Sequence, residues 1–150
     1  MYLTNQFKVP APIDVAWETL LDVEGIVGCI SGARLTEVVN DNTWKGSLDV
    51  SLGAVNLRFD GTVELKQADE GTRTILMWAE GKEARGKGVA QGNVTSHLWE
   101  EGGQTVASVS AYLQMSGAIA QFSRGLIEDI ATDYVDRFAA CLAERMGGKA

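Results

Sequence analysis

From about Gly117 to Met146, Ile119, Phe122, Leu126, Ile127, Ile130, Ala131, Tyr134, Val135, Phe138 and Leu142 recur at spacings of three and four, while Glu128, Asp129, Thr132, Asp133, Asp136 and Glu144 fill the opposite side. That is the period of an amphipathic helix, and no proline interrupts it. At 1.5 Å per residue the stretch predicts a rod of about 40 Å. Upstream the period changes to two. Trp44, Gly46, Leu48, Val50 and Leu52 alternate with Lys45, Ser47, Asp49 and Ser51. Val55, Leu57, Phe59, Gly61, Val63 and Leu65 alternate with Asn56, Arg58, Asp60, Thr62, Glu64 and Lys66. Such alternation predicts antiparallel strands with one face in water. Further strands are expected over 2–9, 34–39, 72–79, 89–99 and 105–115, with a longer loop at 81–88. Two short helices should follow the first strand. One starts at Pro12 and carries Ile13, Ala16, Trp17, Leu20 and Leu21 on one face; the other is capped by Asp22 and weakened by Gly25 and Gly28. Neither can cover the stripe of the last helix, so its partner should be the sheet itself. The chain reads as one α+β domain over 1–150, a curved seven-stranded antiparallel sheet wrapped around a long C-terminal helix.

At 150 residues the chain is long enough to bury a core. A net charge of −7 argues against nucleic acid and against an anionic surface, both of which select basic patches. It leaves an uncharged lipophile open. No apolar run reaches the roughly 18 residues that a membrane span needs. Cys29 and Cys141 lie far apart, and no export signal stands at the N-terminus. The expectation is therefore two reduced thiols, each a small core residue, in a cytoplasmic protein.

Candidate chemistry is sparse. Gly81-Lys82-Glu83-Ala84-Arg85-Gly86-Lys87-Gly88 imitates a phosphate-binding loop, but Gly88 replaces the magnesium-binding hydroxyl residue and a strand, not a helix, should follow. A basic hairpin loop is the better reading. His97 is the only histidine and has no cysteine or carboxylate at ligand spacing, so it reads as a surface residue; no metal site is expected. A sheet curled around a single helix leaves space between them, and Gly46, Gly61, Gly92, Ala107 and Ala111 would keep that space unfilled. The expected walls are Trp44, Leu48, Leu57, Phe59, Leu76, Trp78, Val109, Leu113, Phe122, Leu126 and Ile130, although Ile75 and Met77 leave the inward face of their strand open. Arg124 is expected over the mouth, and Gly125 at a close approach of backbone or ligand. These inward faces carry almost no ionisable group, which disfavours catalysis.

Several local patterns then fall in one order: Phe7-x-Val9-x-Ala11-Pro12, Val15-x-Trp17-x-x-Leu20, Asp22-Val23-Glu24, Cys29-Ile30-Ser31-Gly32-Ala33, Leu52-Gly53, Phe59-Asp60-Gly61, and Gly117-x-x-Ala120-Gln121-Phe122-x-Arg124-Gly125-Leu126-Ile127. Together they resemble the CoxG family of carbon monoxide dehydrogenase subunits, within the START-like, polyketide-cyclase (SRPBCC) helix-grip superfamily. One departure is Ser31, where the family usually has proline. The resemblance implies a helix-grip fold and a non-enzymatic accessory of a molybdenum-containing dehydrogenase. It also implies no tightly bound cofactor, a lipophilic ligand such as a quinone or lipid in the sheet–helix cavity, and peripheral association with the inner face of the membrane. The rival readings are a cyclase or hydrolase acting on an apolar substrate in the same cavity, and a ligand-free protein-interaction module.

Overall fold

The computed structural model describes residues 1–147; residues 148–150, which the expected domain includes, lie outside the described residues. The chain runs β1 (Tyr2–Val9), α1 (Ile13–Leu21), α2 (Val23–Ile26), a 3-10 turn (Val27–Cys29), β2 (Ala33–Asn40), β3 (Thr43–Leu52), β4 (Val55–Asp69), β5 (Thr74–Glu83), β6 (Gly88–Glu101), β7 (Gln104–Gly117), a second 3-10 turn (Ala118–Gln121) and α3 (Arg124–Gly147). All neighbours in the sheet are antiparallel, in the order β1-β7-β6-β5-β4-β3-β2. Each strand from β2 to β7 therefore pairs with its neighbour in sequence, as short hairpins dictate. Only β1 crosses over, to close the far edge against β7.

The seven strands, the two short helices and the terminal helix stand in the expected order. The last helix is shorter than its apolar stripe suggests. Its N-terminal part is a 3-10 turn, and α3 proper begins at Arg124, with the Ser123 hydroxyl accepting from the Leu126 amide at 3.2 Å. Its 24 residues span about 36 Å. Asp22 caps α2 as expected, its carboxylate accepting from the Gly25 amide.

Two devices bend the sheet. Gly46, Gly61 and Gly81 are successive cross-strand partners on β3, β4 and β5. A Cβ on Gly46 would fall inside contact distance of the Arg34 carbonyl oxygen, and one on Gly61 would do the same to that of Glu80. The neighbouring backbone approaches so closely at these two positions that only glycine fits without a shift. A bulge on β4 between Leu65 and Gln67 adds a second bend.

The structure corrects two expectations. Cys29 and Cys141 are not free thiols: they form a disulfide, with Cα atoms 5.4 Å apart, tying the first 3-10 turn to the last turns of α3. Their 112-residue separation hid a pairing that only the tertiary fold creates. Gly125 marks no close approach. It is exposed, with no atom within 4 Å of where its Cβ would stand, and nothing in the structure requires glycine there.

Two glycine substitutions should therefore move stability in opposite directions. Gly125→Ala is expected to stabilise by about 0.5–1 kcal/mol through helix propensity and lost unfolded-state freedom. Gly61→Ala is expected to destabilise by about 2–3 kcal/mol through the clash across β4 and β5. Urea unfolding of both variants against the parent checks the pair.

Candidate functional site

The inner face of the sheet packs against α3 in two separate apolar clusters. At the C-terminal end of α3, Leu142, Phe138 and Val135 meet Phe7 and Val9 of β1, Ala16 and Trp17 of α1, and Ile75, Leu98 and Ala107 of the sheet. Phe7 and Phe138 lie edge to face with centroids 5.9 Å apart. At the N-terminal end, Ile127, Phe122, Leu126 and Ile130 meet Leu52, Leu57, Phe59, Leu113 and Ile119. The inner face also carries small or short residues: Val63, Ala79 and Gly92 in one cross-strand row, with Trp44 and Leu113 at its ends, and Val94 and Ala111 in the next, beside Leu65 and Met77. Val63, Ala79, Gly92, Val94 and Ala111 remain half-buried although they lie on the inner face. The interior is thus packed most closely toward the ends of the helix and less completely covered at these small residues. A cleft of about 530 Å³ lies by the β3–β4 hairpin and the β5–β6 loop, lined by Val50 and Leu57 with Asn56, Arg58 and Arg85 among others.

Most of the expected wall residues come together. Leu57, Phe59, Leu113, Phe122, Leu126 and Ile130 share the N-terminal cluster, and Val109 packs against the other. Trp44 and Leu48 are on the same face of β3, Trp44 buried and Leu48 half-buried. Leu76 and Trp78 are misplaced: β5 turns Ile75, Met77, Ala79, Gly81 and Glu83 inward, so Leu76 and Trp78 lie on the outer face beside Thr95 and Asn93. The inward side of β5 is ambiguous over four apolar residues, yet Glu80 and Lys82 share the parity of Leu76 and Trp78 and carry the signal. Arg124 does not overhang a mouth. Its side chain is 61% exposed, ion-pairs with Glu128 at 3.6 Å and donates to the Tyr2 carbonyl at 3.1 Å, in a shallow recess between β1 and α3. Val50, Leu52, Ile119 and Ile127 complete the cluster without having been expected there.

One inward carboxylate was also unexpected. Glu83 is 4% exposed, at the end of β5. One of its oxygens accepts from the Arg58 amide at 3.1 Å; the other accepts from the amides of Arg85 at 2.8 Å and Lys87 at 3.3 Å. The Arg58 amide is the largest influence holding the carboxyl below its ordinary value of 4.5; burial opposes it, and the Arg85 and Lys87 amides add to the lowering. The carboxylate fastens the β5–β6 loop to the start of β4. The loop itself is a hairpin, Ala84–Lys87, followed by β6, which excludes a phosphate-binding helix N-terminus. His97 is exposed on the outer face, 5.7 Å from the Trp99 ring and 3.4 Å from the Thr74 hydroxyl. Among the described residues no group of His, Cys, Asp or Glu could hold a metal ion.

The family profile for the carbon monoxide dehydrogenase subunit CoxG matches residues 6–147. The chain belongs to the CoxG family. Among solved structures, this CoxG-family chain is similar to a conserved protein from Geobacillus kaustophilus, at 15% identity and a TM-score of 0.86, covering 99% of this chain and 96% of that one. It is similar to a START superfamily protein from Mycobacterium smegmatis, at 13% identity and a TM-score of 0.65 over 99% of both chains. It is also similar to the Zhui aromatase/cyclase from a Streptomyces species, at 14% identity and a TM-score of 0.62 over 97% of this chain and 92% of that one. At these identities the likeness is one of fold, and the fold is START-like. No curated protein matches the chain.

The Glu83 cage predicts a pH dependence for this CoxG-family fold. A carboxyl whose folded pKa is depressed takes up its proton more readily in the unfolded chain, so stability present above pH 4.5 drains as pH falls below it, toward the folded value. Glu83→Gln should be less stable than the parent at neutral pH and flatter below pH 4.5. Thermal melts of both proteins from pH 3 to 7 check this; parallel profiles would show that the amides do not depend on the charge.

Proposed function

We propose that this protein is a non-enzymatic accessory of a molybdenum-containing dehydrogenase of the carbon monoxide dehydrogenase type, and that it holds a lipophilic molecule, a quinone or another lipid, between the sheet and α3. The observation that carries the reading is the incomplete cover of small residues on the inner face. Val63, Ala79, Val94 and Ala111 lie there yet remain in contact with solvent. Apolar surface left incompletely covered on the inner face is surface that a lipophile can cover, at about 25 cal/mol per Å². The one buried inward carboxylate, Glu83, is occupied by three backbone amides and serves the loop, which favours a holder over a catalyst. The dehydrogenase partner and peripheral attachment to the membrane follow from the family alone. Among the described residues, no helix is long and apolar enough to cross a membrane.

Extraction of the purified protein with organic solvent, followed by mass spectrometry, should recover a lipid or quinone, or the protein should take up an added quinone. Ala79→Trp places an indole in the middle of the inner face and should lower uptake at least about tenfold, a loss near 1.4 kcal/mol, with an unchanged circular dichroism spectrum. A protein that carries nothing and takes up nothing overturns the reading.

A further inference from the structure

The long helix is held differently along its two sides. Toward β1 the contact is mainly apolar and deep: Leu142 is fully buried and Phe138 packs on Phe7, with Asn5 donating to the Thr132 hydroxyl and Arg124 to the Tyr2 carbonyl at the rim. Toward α2, the first 3-10 turn and β3, Ile26 and Cys29 share the apolar cluster with Cys141 and Met146, and the other noncovalent contacts are polar and exposed. The Tyr134 hydroxyl donates to the Asp49 carbonyl at 3.2 Å, Arg137 donates to the Ser31 hydroxyl at 3.1 Å, and Arg145 donates to the Gly25 carbonyl. Exposed hydrogen bonds of this kind exchange readily with water and hold little on their own. The covalent fastening on that side is Cys29–Cys141. Cys29 is 4% exposed and Cys141 half-buried.

We propose that Cys29–Cys141 is a redox clasp that governs how far the C-terminal half of α3 can swing from the α2–β3 side, pivoting on its apolar contact with β1. A dithiol reductant supplies two electrons and two protons. The S–S bond breaks, Cys29 and Cys141 become thiols, and the reductant becomes a disulfide. What remains along the seam is the apolar contact of Ile26 and three exposed hydrogen bonds, and the half-buried inner face of the sheet becomes easier to reach. The opening of the seam stands on the geometry alone; its effect on loading rests on the lipophile reading above.

The test uses the full chain, air-oxidised, reduced with dithiothreitol, and as Cys141→Ser. Native-state hydrogen exchange should show protection over residues 133–146 falling at least about tenfold further on reduction than protection in β6 and β7, and Nile red should enter the reduced form about tenfold faster. Cys141→Ser should match the reduced form and ignore dithiothreitol; if it does not fold, the reduction series on the parent decides. An equal fall in protection throughout the molecule would mark a cross-link that only stabilises the whole fold, and overturns the clasp. So does purified, air-oxidised protein in which both cysteines remain alkylatable. Local loosening with no Nile red uptake by either form keeps the clasp and defeats the lipophile reading.

Discussion

A flat seven-stranded sheet would touch a straight helix along one narrow line and leave most of the helix's apolar stripe in water. Curvature is what makes the terminal helix a core element here. It comes from the backbone rather than from side chains: Gly46, Gly61 and Gly81 stand in a row across β3, β4 and β5, where neighbouring carbonyls occupy the space a Cβ would need at the first two. The same residues that let the sheet bend also leave its concave side short of side-chain volume. Bending and a shortage of side-chain volume go together, and the two packed clusters lie toward the ends of the helix.

That arrangement limits stability as well as allowing function. Half-buried valines and alanines contribute less than fully buried ones, so the chain depends more heavily on what it packs at the ends. At one end Ile119, Leu57 and Ile127 are closely covered; at the other Leu142, Leu98, Ala16 and Ala107 are. Glu83 serves the first end from inside. By gathering the amides of Arg58, Arg85 and Lys87, it turns a glycine-containing loop of four residues into a fixed wall of the cleft. A side chain committed in this way satisfies backbone donors that would otherwise be orphaned.

Legibility in the sequence followed the strength of local alternation. β3 and β4 are readable because Lys45, Asp49, Arg58 and Asp60 mark the wet face without exception, and the register bears this out. β5 is not, because Ile75 to Trp78 are all apolar and the deciding charges, Glu80 and Lys82, lie beyond them, while Glu83 points the wrong way for a charge. The start of α3 is misread for a related reason. Ile119 and Phe122 fit the helical period, but they belong to a 3-10 turn and its exit, where spacings of three look the same. Arg124 and Gly125 therefore sit in the first turn of the helix and not inside it, which explains why one reaches the β1 edge and the other faces open space. The disulfide lay beyond any local pattern, since its two halves meet only after α3 has docked.

Docking of α3 is thus the step on which the remaining features depend, and its two sides differ in kind. The β1 side is made chiefly by burial, which is indifferent to the redox environment. The α2–β3 side adds to the apolar contact of Ile26 a sulfur–sulfur bond, which is not, and exposed hydrogen bonds. Ser31 belongs to this second side. Its hydroxyl accepts from Arg137 next to the two cysteines, so the seam combines a covalent link with polar contacts. An apolar ligand of the kind proposed above would enter most readily where polar and covalent contacts, and not burial alone, close the interior, on the side away from β1.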